Sequence, residues 1–129
     1  MIPLLYSDRL YYKPLSAEHC TITYVNWLND YEVYKYMETG GGYTIEMLDE
    51  FIKEVMSKKE LLFWAIHLKN NNKHIGNIKI DPISKRHGFG EYGIMLGDKE
   101  EWRKGYAKEA SKAIINYCFE EFNLRKLIF

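Results

Sequence analysis

Apolar positions along the chain change period several times, and each change marks an element. Arg9-Leu10-Tyr11-Tyr12-Lys13-Pro14-Leu15 reads as a short strand that proline ends, with Ser16 placed to cap a helix. From Ala17 onward, Cys20, Tyr24, Trp27 and Leu28 fall on one helical face, and Asn29-Asp30 breaks that helix. Val33, Tyr36 and Met37 predict a further short helix before Gly40-Gly41-Gly42, a stretch suited to a loop. Thr44 is placed to cap an amphipathic helix carrying Leu48, Phe51, Ile52 and Val55 to about Lys58.

The period then shifts to two. Leu62 to Leu68 and His74 to Ile80 read as strands joined by a turn that holds three asparagines, and Asp81-Pro82 is expected to end the second. Phe89 to Leu96 predicts a third strand, giving an antiparallel meander. After the charged connection Gly97 to Gly105, Ala107, Ala110, Ile114, Tyr117 and Cys118 mark the inner face of a helix running from Tyr106 to about Phe122. Leu127-Ile128-Phe129 begins another strand. The order β-α-α-α-β-β-β-α-β describes one α+β domain spanning residues 1–129.

Length and composition narrow the function classes. A chain of 129 residues buries enough apolar surface for one core. Its 18 basic residues balance 18 acidic ones, which argues against a nucleic-acid binder that relies on many phosphate contacts. No apolar run approaches a membrane span, and the first residues lack a basic signal-peptide region, so a cytoplasmic location without a membrane partner is expected. Cys20 and Cys118 read as reduced core residues. His19, His67, His74 and His87 lack metal-ligand spacing, so no metal is expected.

The chemistry concentrates in one turn. A strand, a glycine-containing turn and a helix start together form a phosphate-binding arrangement, because the first helical N–H groups point outward and the helix dipole adds positive charge. Arg103, Lys104 and Lys108 add formal charge, and Gly105 lets a ligand approach the backbone. Taken alone, the spacing equally fits an ordinary helix entry with a solvated basic face.

The stretch Asp98 to Ala110, with Trp102-Arg103-Lys104-Gly105-Tyr106-Ala107 followed by Glu109-Ala110, resembles the acetyl-CoA signature of the GNAT superfamily, in its ribosomal-protein and sugar N-acetyltransferase branch. Arg103 stands where that pattern frequently has glycine. Arg9 to Leu15, Tyr24 to Asp30, Ile75 to Ile78 and Glu91 to Leu96 resemble further stretches of the family, so nearly the whole chain is covered.

The resemblance implies a mostly antiparallel mixed sheet flanked by helices and N-acetyl transfer from acetyl-CoA, used as co-substrate. Ile94, Met95 and Leu96 would hold the pantetheine arm, and Arg103, Lys104, Gly105, Tyr106 and Ala107 the pyrophosphate. An amine acceptor would attack directly, without a covalent enzyme intermediate. The acceptor would be a small molecule, an amino-sugar nucleotide or a protein N-terminus. Glu91 is the first candidate to take the amine proton and His67 the second. Glu91 also reads as a solvated strand residue, and His67 as a histidine satisfied by a carbonyl. Trp27, Tyr31 and Tyr34 are candidate acceptor contacts, with Trp27 equally placed to complete the Cys20-Tyr24 core stripe.

The resemblance further implies a helix and two strands beyond the fifth strand of the fold. On that expectation the chain is truncated, is completed by a second copy through the terminal strand as a homodimer, or is a CoA-binding or assembly module without turnover.

Overall fold

A computed structural model describes residues 2–35, 37, 40–84, 86–121 and 124–128. Tyr36, Phe122 and Phe129, which the sequence places at the ends of elements, lie outside the described residues. The strands are β1 (Leu5–Tyr6), β2 (Leu10–Pro14), β3 (Leu62–Leu68), β4 (His74–Ser84), β5 (Phe89–Leu96) and β6 (Lys126–Ile128). The helices are α1 (Ile22–Asn29), α2 (Tyr31–Tyr34), α3 (Ile45–Ser57) and α4 (Tyr106–Glu120). The strands form one sheet in chain order, antiparallel from β1 through β5, with β6 added parallel to β5.

Helices cover both faces of this sheet, and β3 shows it most directly. Its sequence Leu-Phe-Trp-Ala-Ile-His-Leu is buried at every position, as expected of a central strand with no solvent face. Leu62, Trp64, Ile66 and Leu68 point to a core shared with Ala110, Ile114 and Cys118 of α4. Phe63 and Ala65 point to a second core formed with Tyr24, Trp27 and Leu28 of α1 and Leu48 and Ile52 of α3. Leu10, Ile66, Ile78 and Ile80 have no exposed surface, and burial of each contributes roughly 1.5–3 kcal/mol. The indole N–H of Trp64 donates to Pro3 O at 2.8 Å, so this deeply buried ring carries no unpaired donor.

Local polar groups set the helix starts. Thr44 Oγ1 accepts from the Met47 amide and caps α3. The single helix expected from Ala17 is split. Residues Ala17–His19 form a 3₁₀ turn, Cys20 leaves helical geometry, and Thr21 Oγ1 accepts from the Tyr24 amide to start α1 afresh. A second capping residue inside the apolar period restarts the helix. Asp30 both ends α1 and caps α2, accepting from the Glu32 amide.

Two expectations about strands also change. β4 does not stop at Asp81-Pro82 but continues to Ser84, with its register against β5 shifting between Ile80 and Ile83. Proline has no N–H to give a ladder, and the irregularity absorbs the missing bond. The two-residue β1 is too short to register as a period-two run, although it pairs Leu5 with Tyr12 and Tyr6 with Tyr11. Among the described residues of the last helix, Ala110, Ile114 and Cys118 are buried while Ala107 is exposed. Ala107 therefore faces outward near the helix start, against the expectation that it packs on the sheet.

Candidate active site

The parallel pairing of β6 with β5 covers only Phe89, Gly90 and Glu91, which stand opposite Lys126, Leu127 and Ile128. From Tyr92 to Leu96 the corresponding edge of β5 has no paired strand among the described residues. Gly97 then turns the chain away, with its amide and that of Asp98 donating to Ile75 O at 3.0 and 3.2 Å. A Cβ at residue 97 would lie 2.1 Å from the Trp27 ring, so glycine is required for this close approach. Trp27 is 6% exposed and belongs to the α1–α3 core. Its side chain therefore sits in the core stripe with Tyr24 and is not among the residues that line the cleft described below.

Residues Lys99–Glu101 form a 3₁₀ turn capped by Asp98, and the turn that follows contains two left-handed residues, Arg103 at φ 66° and Gly105 at φ 83°. Glycine at 103 would adopt this geometry freely, which gives a physical reason for its frequency there in the resembling pattern. Arginine pays roughly 1–2 kcal/mol for it. The left-handed Gly105 sits at the start of α4, whose first N–H groups have no acceptor within the helix. On the open side of Gly105, the nearest atom to an added Cβ would be Arg9 Nη2, at 3.5 Å.

A cleft of about 720 Å³ joins these parts. Ile94, Met95 and Leu96 form its strand wall, and Arg103, Gly105, Tyr106 and Ala107 form its turn. Seven of the eight expected cofactor contacts thus meet in one cleft. Lys104 is the exception, because its Nζ turns to the buried carboxylate of Glu101 at 2.7 Å. Lys108 and Trp102 also line the cleft, and Trp102 Nε1 donates to Leu96 O at 2.8 Å, tying the turn to the end of β5.

The opposite wall comes from the α2 segment. Val33 and Met37 line it, with Glu32 and Lys35 at its rim. Tyr31 and Tyr34 stand outside the lining: Tyr31 is 65% exposed and meets Tyr34 edge to face, while Tyr34 packs against Gly40 and Gly41. Lys99 Nζ spans from the 3₁₀ turn to Asp30 at 2.8 Å and Glu32 at 3.3 Å, and holds the Asp30 carboxyl below its usual range. Glu91 is exposed on β5 at the last position paired with β6, and it does not line the cleft.

His67 belongs to another cluster. Its Nδ1–H donates to Asn72 O at 2.9 Å, and its Nε2 lies 3.0 Å from His19 Nε2. His19 Nδ1 accepts from the Ser16 amide at 3.1 Å, which leaves its proton on Nε2, aimed at His67. With Glu18, these histidines bring three ligand-type atoms within 4.8 Å of one another, a juxtaposition that their scattered sequence positions concealed. The ring nitrogens satisfy one another and the backbone as neutral imidazoles, and Glu18 is paired with Lys13 at 2.6 Å.

Burial, then the neighbouring His67, pushes His19 down to about 4, and burial likewise pushes His74 to about 4. In the unfolded chain these rings take up protons near pH 6.5, so between about pH 6.5 and pH 4 the unfolded state binds more protons and stability falls with pH. By pH 5 each ring withdraws roughly 2 kcal/mol. Thermal denaturation from pH 7.5 to pH 4.5 should show the melting temperature dropping by several degrees; a flat profile would contradict neutral burial of these rings.

The GNAT acetyltransferase domain model matches residues 9–129, and the chain belongs to that family. It is an acyltransferase of a family that uses acetyl-CoA. The N-acetyltransferase p20 of Bacillus licheniformis, itself uncharacterized, is 28% identical over 127 residues, covering 95% of this chain and 70% of its own length. The uncharacterized N-acetyltransferase YoaA of Bacillus subtilis is 25% identical over 130 residues, covering 98% and 72%. A GNAT-family acetyltransferase from Bacillus anthracis superposes with TM-score 0.83 at 24% identity, over 97% of this chain and 71% of that one. The spermidine N-acetyltransferase of Vibrio cholerae, solved with CoA and spermine, gives TM-score 0.83 at 18% identity, over 94% and 70%. The α+β fold with a mostly antiparallel sheet is thus the fold of this family. No described helix is long and apolar enough to cross a membrane.

Proposed function

We propose that the protein transfers an acetyl group from acetyl-CoA to a primary amine by direct attack. The acceptor would be a small molecule, an amino-sugar nucleotide or a protein N-terminus. The observation that carries this reading is the continuous cleft from the unpaired edge of β5 to the helix start at Gly105, whose left-handed φ suits glycine. The strand edge at Ile94, Met95 and Leu96, which pairs with no described strand, suits an extended amide-bearing arm, and the amides of 103–107 suit a pyrophosphate. Bound acetyl-CoA supplies a thioester carbonyl to which a neutral amine adds, releasing the thiol.

Around that chemistry the chain supplies three functions. Amides on the free edge of β5 polarise the carbonyl and hold the developing oxyanion. Glu91, where the β5–β6 pairing ends, takes the amine proton directly or through water. The α2 wall, with Val33 and Met37 inside and Tyr31 at its outer surface, positions the acceptor.

Acetyl-CoA at one hundred times its dissociation constant should stabilise the fold by about 2.7 kcal/mol and raise the melting temperature accordingly. Absence of any shift at millimolar concentration would eliminate the cofactor assignment. Thiol release measured against a panel of amino sugars, polyamines and peptides then separates catalysis from a CoA-binding or assembly module, which would bind without turnover.

A further inference from the structure

The turn that lines the cleft is held from outside by Arg9, a residue 95 positions before Lys104 in sequence. Arg103 and Gly105 both adopt left-handed geometry and bracket Lys104, a conformation that the local sequence does not favour at 103. Lys104 is fixed at both ends. Its side chain reaches Glu101, and its carbonyl accepts from Arg9 Nη1 at 2.8 Å. Arg9 is itself fixed, since Nε donates to Glu109 Oε1 at 2.8 Å and the guanidinium lies 4.4 Å above the centre of the Tyr106 ring.

Glu109 is the hub of this arrangement. It lies on α4, one turn after Gly105, and its carboxylate receives three donors from the corner between β1 and β2. Ser7 Oγ and the Arg9 amide bind Oε2 at 2.6 and 2.8 Å, and Arg9 Nε binds Oε1. Burial alone would raise the Glu109 carboxyl, but these donors outweigh it and hold the group below the usual carboxylate range, so it stays charged at neutral pH.

We propose that Arg9 and Glu109 are positioning residues for acetyl-CoA, forming a brace that presets the turn 103–105 in the shape that receives the pyrophosphate. The proposal rests on the reading of that turn as the pyrophosphate site. The brace anchors the turn to the β1–β2 corner and α4 together, so the amides are aligned before the ligand arrives and little ordering remains at binding. The planar guanidinium makes this geometry available, because its Nε and Nη1 reach Glu109 and Lys104 O at once. A lysine presents one nitrogen in place of that fixed fork and cannot reproduce both bonds in the same geometry.

Calorimetric titration of acetyl-CoA into the wild-type chain, Arg9→Lys, Glu109→Gln and the double variant tests this. Each single variant should weaken binding about tenfold, equivalent to 1.4 kcal/mol, with stoichiometry still near one. The double variant should bind little worse than either, because both changes release the same brace. A purely structural role would lower the melting temperature and the competent fraction while leaving the dissociation constant of the folded protein unchanged; that result overturns the proposal. Single variants within twofold of wild type overturn it as well. Failure of the wild-type chain itself to bind acetyl-CoA overturns the underlying site reading together with the brace.

Discussion

Replacement of Gly105 by glutamate should abolish acetyl-CoA binding, weakening it by more than about a hundredfold, or 2.7 kcal/mol. Two effects add. Residue 105 has φ 83°, where any L side chain costs roughly 1–2 kcal/mol, so the variant strains the turn before a ligand arrives. Its carboxylate would then stand at the start of α4, where the helix dipole and the first N–H groups favour a phosphate, and would repel the pyrophosphate while competing for those donors. Gly105→Ala separates the two contributions, since it carries the strain without the charge and should show the smaller loss. Calorimetry, with circular dichroism to confirm the fold, provides the measurement. A Gly105→Glu protein that binds within fivefold of wild type would exclude this turn as the pyrophosphate site.

Glu91→Gln should lower kcat by about 10²–10⁴, the usual contribution of a positioned general base, while acetyl-CoA affinity stays within a factor of about two. The argument is positional. Glu91 is the last β5 residue paired with β6 and lies outside the cleft lining, and in the proposed mechanism it takes the amine proton directly or through water. The glutamine variant keeps the size and removes the proton acceptor. Steady-state rates, once an acceptor is found, provide the measurement. A variant with wild-type kcat would return Glu91 to an ordinary solvated strand residue.

The parts of the fold legible in the sequence were those with strong local signals. Leu62–Leu68 and Phe89–Leu96 have the expected bounds because apolar runs of that length flanked by polar turns have few alternatives. Thr44 starts α3 as expected because its cap is a purely local bond. Features decided by distant contacts were not legible. The apolar stripe through Cys20 is compatible with one helix or two, and the Thr21 cap decided for two. Trp27 has the same side chain whether it lines a pocket or fills a core, and its packing on Gly97 settles its place.

The site divides in the same way. The motif from Trp102 to Ala107 and the strand end Ile94 to Leu96 are local segments, and both line the cleft. The Ser7–Arg9–Glu109 network joins residues about a hundred positions apart, and no period or spacing reveals it. Val33 and Met37 were read as helix-face residues, yet they form the wall facing the turn.

The two walls of the cleft are attached to the protein by different forces. The turn is held by short bonds to Arg9 ahead of β2, to Leu96 at the end of β5 and to the buried Glu101, whereas α2 buries no residue fully and is tied across the cleft through the exposed Lys99. Exposed ion pairs are weak and are screened within about 8 Å at physiological ionic strength. The α2 wall is therefore the more compliant side of the cleft, and under the proposed function it can open for different amines at small free-energy cost while the opposite wall keeps its shape. Acceptor preference in such a design can drift by surface substitutions on α2 without disturbing the folding core.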